Sequence, residues 1–316
     1  MADKIALLGS GFIGRSWAIA FSRAGYEIGL HDPTPGAVDA ALAFIDEMLD
    51  DLAKNDLLNG HSPAAVRGRI RPAKDVKSAL DGAIHVQENA PENLKTKLAV
   101  FKEIDALAPP GTVLASSASA LLPSLFTEHL PGRQRCIVAH PVNPPYLIPV
   151  VELVPAPWTS PETVERVRKL MVEAGQVPIM MKRELDGFIV NRLQCALLCE
   201  AFRLMGEGYA DTQAIDDAVR HGLGLRWSFM GPYETIDLNS PGGVGEYIDR
   251  YEGLFKSLWK TQLHDVDWGG PVRAQALAER DAKLPRKKLV DRQKWRDRRL
   301  MALAAHKRKA GKEVGD

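Results

Sequence analysis

The chain has 316 residues, enough for two domains at roughly 100–200 residues each. Its composition, 45% hydrophobic and 26% charged, excludes a disordered, collagen-like or coiled-coil protein. The 41 Lys and Arg nearly balance the 40 Asp and Glu, and this net charge of +1 gives no global pull toward nucleic acid or an anionic membrane, although it can conceal opposed regional charges.

Taken in chain order, Ile5 to Leu8 reads as a short strand buried on both faces and stopped by Gly9. That glycine arrives before a signal-peptide core can form. From Phe12 to Ala24 the apolar residues recur at helical spacing, and Tyr26 to His31 reads as a second strand ending at Asp32-Pro33. Further strands are expected at 83–86, 112–115, 136–139 and 150–154, with helices near 36–58 and 93–107. Alternation of this kind implies a parallel sheet covered by helices on both faces. One more helix (161–175) and strand (177–181) follow, after which the pattern is almost wholly helical, with breaks at Gly222, Gly224, Gly231-Pro232 and Pro241-Gly242-Gly243. The expected architecture is α/β: a Rossmann-type dinucleotide-binding domain over 1–186, then an all-α C-terminal domain over 187–316.

The three cysteines suit a reducing, cytoplasmic setting and match no disulfide framework or zinc pattern. Cys195 and Cys199 are spaced to share one helix face and read as small core residues. No apolar stretch approaches the ~20 residues that span a bilayer.

Gly9-Ser10-Gly11-Phe12-Ile13-Gly14 fits G-x-G-x-x-G between a strand and a helix. In that context Gly9 permits the turn, Gly11 lets the backbone approach a pyrophosphate, and Gly14 allows close helix–strand packing. The helix start offers free N–H groups to the phosphates. Asp32 ends the second strand at the right distance to bind a ribose diol, and no basic residue follows it directly, which favours NAD over NADP.

His140 closes a strand, at the end of an open α/β sheet where ligands bind. Glu152 lies in the apolar run 150–154, where a carboxylate is costly unless paired, and a histidine is a suitable partner. Such a dyad orients the imidazole and makes it a general base near neutral pH.

Four segments, Gly9 to Ala18, Ile137 to Pro145, Gly187 to Gln194 and Gly222 to Arg226, closely resemble the 3-hydroxyacyl-CoA dehydrogenase superfamily, nearest to its λ-crystallin branch. The enzymes of that branch act as L-gulonate 3-dehydrogenases. The resemblance spans nearly the whole chain. It implies that His140 is the base and Glu152 its partner, and that Ser119 hydrogen-bonds the reacting oxygen. By the same resemblance Asn191 positions substrate where two domains meet, Asn143 is a further polar group of the site, and Glu92 and Lys97 contact the nicotinamide ribose. The ordinary structural readings are that Ser119 caps a helix, Asn191 bonds to backbone, and Glu92 and Lys97 face solvent. The implied chemistry is reversible oxidation of a secondary alcohol with NAD and no metal, in a homodimer formed through the helical domain.

Residues 37–60 carry six acids against Lys54 alone, where the hydroxyacyl-CoA enzymes place basic residues that meet CoA phosphates. This departure favours a small free hydroxy acid as substrate, unless the acids are simply a solvated helix face. Arg226 is the candidate to hold its carboxylate. L-gulonate leads, followed by L-carnitine, for which Trp227, Phe229 and Tyr233 offer aromatics, and by a short 3-hydroxyacyl-CoA. A crystallin-like structural or binding role is the non-enzymatic alternative. Between Lys283 and Lys312 stand 13 basic residues and two acids, +11, which leaves 28 basic and 38 acidic elsewhere, −10. Trp295, Leu300, Met301 and Leu303 mark that basic stretch as a helix docked by an apolar stripe, with its charges toward solvent or an acidic partner subunit rather than nucleic acid.

Overall fold

In the first strand Ile5 and Leu7 enter one apolar cluster and Ala6 and Leu8 another. Such a strand is stable only inside a sheet covered on both faces. The computed structural model, which describes residues 2–262 and 268–315, has this arrangement. Its sheet elements are β1 (Lys4–Leu8), α1 (Phe12–Arg23), β2 (Glu27–His31), α2 (Ala37–Lys54), α3 (Pro63–Arg67), β3 (Ile70–Pro72), α4 (Val76–Leu80), β4 (Ala83–Glu88), α5 (Leu94–Leu107), β5 (Val113–Ser116), α6 (Ser124–Thr127), β6 (Cys136–Pro141), β7 (Val150–Pro155), α7 (Pro161–Glu173) and β8 (Val177–Met180). Eight strands run in the order β3-β2-β1-β4-β5-β6-β7-β8. The strand order reverses beside β1, which opens a crevice at the loop that follows it.

Two features of the sheet depart from the sequence expectation. Residues 63–80 form α3, β3 and α4, each too short to leave a periodic signal; β3 is an edge strand, where its Pro72 is tolerated. The sheet is also not wholly parallel, because β7 pairs antiparallel with β6. Only residues 142–149 connect these strands, fewer than the dozen or so that a parallel crossover requires.

The chain divides into one unit of residues up to Val190 together with Arg296–His306, and a second of Asn191–Trp295 with the residues from Lys307 onward. The sequence reading put the whole of 187–316 in the helical part. The segment 296–306 instead groups with the sheet, where Met301 is fully buried and Leu300 packs beside it. Arg298 of that segment bonds Asp51 and also approaches Glu47. The acidic face of α2 is thus partly the seat of the basic C-terminal stretch.

The second unit draws on α8 (Val190–Gly206), α9 (Thr212–Ala218), α10 (Gly224–Trp227), α11 (Pro232–Asp237), α12 (Gly243–Gln262), α13 (Gly270–Lys283) and α14 (Leu289–Val314). The glycines at 222 and 224 do not break the helix: residues 219–223 form a π-helical turn between α9 and α10. Cys195 and Cys199 share a face of α8 with sulfurs 3.8 Å apart, but Cys195 is exposed and Cys199 half-buried, so they are not core residues of this chain. No described helix is long and apolar enough to cross a membrane.

His85 on β4 is fully buried, with Nε2 bonded to Gln87 Oε1 at 3.1 Å and Nδ1 lacking a partner. Burial pushes its pKa down to about 4. The unfolded chain therefore binds this proton more readily between the ordinary value near 6.5 and 4, and the stabilisation present above 6.5 is lost as pH falls through that window. Denaturant titrations should show roughly 3 kcal/mol lost from this group, a loss that His85→Asn abolishes.

Candidate active site

The antiparallel register sets His140 directly opposite Glu152. His140 is 7% exposed and Glu152 fully buried, and Nδ1 lies 2.8 Å from Oε2. The other carboxylate oxygen accepts the Ile189 and Val190 amides at 2.7 and 2.9 Å. Those amides are turned toward it by two consecutive left-handed residues, Gly187 and Phe188. A φ of 52° on a phenylalanine is strained, and the surrounding packing holds it there: Phe188 is buried, with its ring 5.5 Å from that of His140. Burial opposes ionisation of Glu152, but the bonds from His140 and the two amides outweigh it and hold the carboxyl below its usual range. An anionic partner fixes the Nδ1–H tautomer, assigned here from the hydrogen-bond network, and leaves Nε2 as the basic nitrogen.

The glycine loop meets the geometric demands of a dinucleotide. A Cβ on Gly14 would lie 1.8 Å from the Gly9 carbonyl oxygen, and one on Gly9 would meet Asn89 O at 2.8 Å. Around Gly11 there is open space, and as N-cap of α1 it offers no side chain to the helix amides, so a phosphate can approach them. Phe12 and Ile13 form the first turn of α1, with Phe12 well exposed. Asp32 accepts the Ser10 amide and hydroxyl at 2.7 and 3.0 Å and the Thr34 amide at 2.9 Å. Although burial works against it, these bonds keep Asp32 ionised below its usual range. These residues fit NAD.

Glu92 and Lys97 do not simply face solvent. Glu92 Oε1 accepts the amides of Ser119, Ala120 and Leu121 at 2.9–3.1 Å and so shapes the loop that carries Ser119. Ser119 is half-buried in that loop and is not the N-cap of α6, a place taken by Pro123. Lys97 is buried, and its ammonium bonds both oxygens of Glu88 at 2.9 Å and Ala90 O at 3.0 Å. A ribose contact from Lys97 would have to share one of these three hydrogens. Asn143 is exposed in the β6–β7 loop. Asn191 and Arg226 belong to the second unit, at the start of α8 and in the last turn of α10.

Sequence reasoning missed a buried polar platform. Ser116 Oγ bonds Glu88 at 2.6 Å; Gln87 Nε2 reaches Ser117 Oγ and Ala139 O; Ser117 Oγ also bonds Asn89 and receives the Trp17 indole N–H. The available signal was the polar run Gln87-Glu88-Asn89 at the end of an apolar strand. Lys97→Met would leave Glu88 buried without its cation and should cost about 3–5 kcal/mol in denaturant unfolding, whereas adding Glu88→Gln to it should recover part of the loss.

Comparison with known proteins agrees over both units. The family described as 3-hydroxyacyl-CoA dehydrogenase, NAD binding domain, matches residues 4–184, and its C-terminal domain matches 187–265. A lambda-crystallin homolog of Bos taurus is 41% identical over 95% of this chain and 94% of its own length. An L-carnitine dehydrogenase of a Pseudomonas species is 35% identical over 94% and 92%. Among solved structures, the NAD+-dependent dismutase 5-formyl-3-hydroxy-2-methylpyridine 4-carboxylic acid 5-dehydrogenase superposes with a TM-score of 0.81 at 27% identity, covering 96% of this chain and 97% of the other. The chain belongs to the 3-hydroxyacyl-CoA dehydrogenase family, in its λ-crystallin branch, and is an NAD-dependent oxidoreductase of hydroxyl groups.

Proposed function

We propose that this enzyme oxidises the 3-hydroxyl of a small free hydroxy acid, L-gulonate first, to the 3-keto acid. The observation that carries the reading is the His140–Glu152 pair, which leaves Nε2 basic and oriented at the strand end. His140 takes the hydroxyl proton, and the anionic Glu152 stabilises the imidazolium that results. Bound NAD supplies the hydride acceptor. Ser119 and Asn191 donate to the reacting oxygen, Asn143 adds a polar contact, and Arg226 binds the substrate carboxylate.

A free acid rather than a CoA thioester is favoured on two grounds. The helix after β2 is acid-rich, and part of its face is already engaged by Arg298. L-carnitine is the second reading, supported by the carnitine dehydrogenase relative and by the exposure of Trp227, Phe229 and Tyr233 close in sequence to Arg226. The free thiols of Cys136, Cys195 and Cys199 suit a cytoplasmic enzyme.

An NADH absorbance assay over L-gulonate, L-carnitine, 3-hydroxybutyrate and 3-hydroxybutyryl-CoA tests the substrate, with L-gulonate expected to give the highest kcat/KM. His140→Gln should lower kcat by about 10²–10⁴-fold while NADH still binds. Arg226→Met should raise KM for carboxylates about tenfold or more, and an unchanged KM removes Arg226 from the site.

We further propose a homodimer through the second unit. Of its described residues only Met205, Thr235 and Ser240 are buried, whereas Leu193, Leu197, Phe255 and Trp259 lie exposed. Helices of this length normally bury an apolar stripe, and a second copy offers the same stripe. Light scattering at micromolar concentration should give twice the 34.7 kDa chain mass; a monomer would remove the proposal.

A further inference from the structure

The β6–β7 loop, residues 142–149, joins the strand that carries His140 to the strand that carries Glu152. Tyr146 in this loop is 1% exposed, and its hydroxyl donates to Asp297 Oδ2 at 3.1 Å. Asp297, 4% exposed, lies in the part of α14 that groups with the first unit, and its other oxygen accepts from Arg296 Nε at 2.8 Å. A second tie runs from Gln176 Nε2 to Pro145 O at 3.0 Å. Arg15, just beyond the glycine loop and stacked on Phe12 and Phe44, contributes positive charge felt by both Tyr146 and Asp297.

Attaching the helix does not require this carboxylate. Met301 and Leu300 already bury its apolar side, and Arg298 bonds α2. Burying a carboxylate is costly even when it is paired. Asp297 is also one of only two acids in a thirty-residue basic stretch, so its placement opposite the loop's one phenol is specific.

We propose that Asp297 is a positioning residue of the reaction: by holding the Tyr146 hydroxyl it fixes the loop 142–149, and with it Asn143 and the spacing of the His140–Glu152 pair. This rests on the dyad reading given under the proposed function. Tyr146 transmits the constraint and touches no reacting atom.

The test uses the full-length Tyr146→Phe, Asp297→Leu and double variants, with Arg298→Ala as a stability control, all studied well below their Tm. Amide hydrogen exchange of residues 142–149 should rise about tenfold in Tyr146→Phe and Asp297→Leu, with residues 9–14 unchanged. On whichever of the four substrates the wild-type protein turns over best, kcat should fall about tenfold with the NADH Kd within twofold. The double variant should be no worse than either single, because both remove the same bond. Arg298→Ala should lower Tm and leave kcat intact. Unchanged exchange at 142–149 in Tyr146→Phe overturns the proposal, as does faster exchange with kcat retained. If the wild-type protein turns over none of the four substrates, the functional reading falls, while the exchange measurement still decides whether Asp297 orders the loop.

Discussion

A carboxylate sealed inside a sheet is tolerable only when every lone pair facing the interior is met, and the first unit is organised around meeting those of Glu152. The imidazole of His140 takes one oxygen and two backbone amides take the other. These partners come from two stretches of chain remote in sequence, so this one side chain fixes a strand register, a ring orientation and the direction in which the chain leaves the sheet. Reversing β7 is what makes this possible, because only an antiparallel partner reached by a short loop sets residue 152 against residue 140.

The same logic recurs along the strand ends. Glu88 is satisfied by Lys97, Ser116 and the Ala90 amide; Ser117 collects Trp17, Gln87 and Asn89; Glu92 gathers three amides of the Ser119 loop. These contacts tie the ends of β4 and β5 to α1 and α5, on the side of the sheet where ligands are held in open α/β folds. Much of the polar chemistry near the site thus supports it rather than taking part in the reaction, and it rigidifies loops that lack ladder hydrogen bonds of their own.

What was legible in the sequence follows from range. The glycine loop, the first two strands and the long amphipathic helices are local patterns, and they lie where periodicity places them. His140 and Glu152 could be paired because a lone acid in an apolar strand needs a partner. The antiparallel direction of β7 was missed, because periodicity does not report strand direction; its signal is the short connection between β6 and β7. The burial of Lys97 and the clasp between Tyr146 and Asp297 were not legible, since each depends on packing between residues whose sequence neighbourhoods look solvated. The acidic α2 likewise needed the structure, because its partner Arg298 lies 247 positions from Asp51.

That separation bears on how the molecule is made. Residues 296–306 complete the first unit, yet they leave the ribosome more than a hundred residues after the last strand of the sheet. At roughly 5–20 residues per second, about 6–23 s separate the end of β8 from the start of that segment. In that interval the sheet can form, because its strands lie within the first 180 residues. The position of Met301 in the core stays empty, and the Tyr146 phenol lacks its carboxylate. The nascent chain can therefore hold the sheet before the Tyr146–Asp297 bond is made, and that bond waits on the synthesis of residues 296–306.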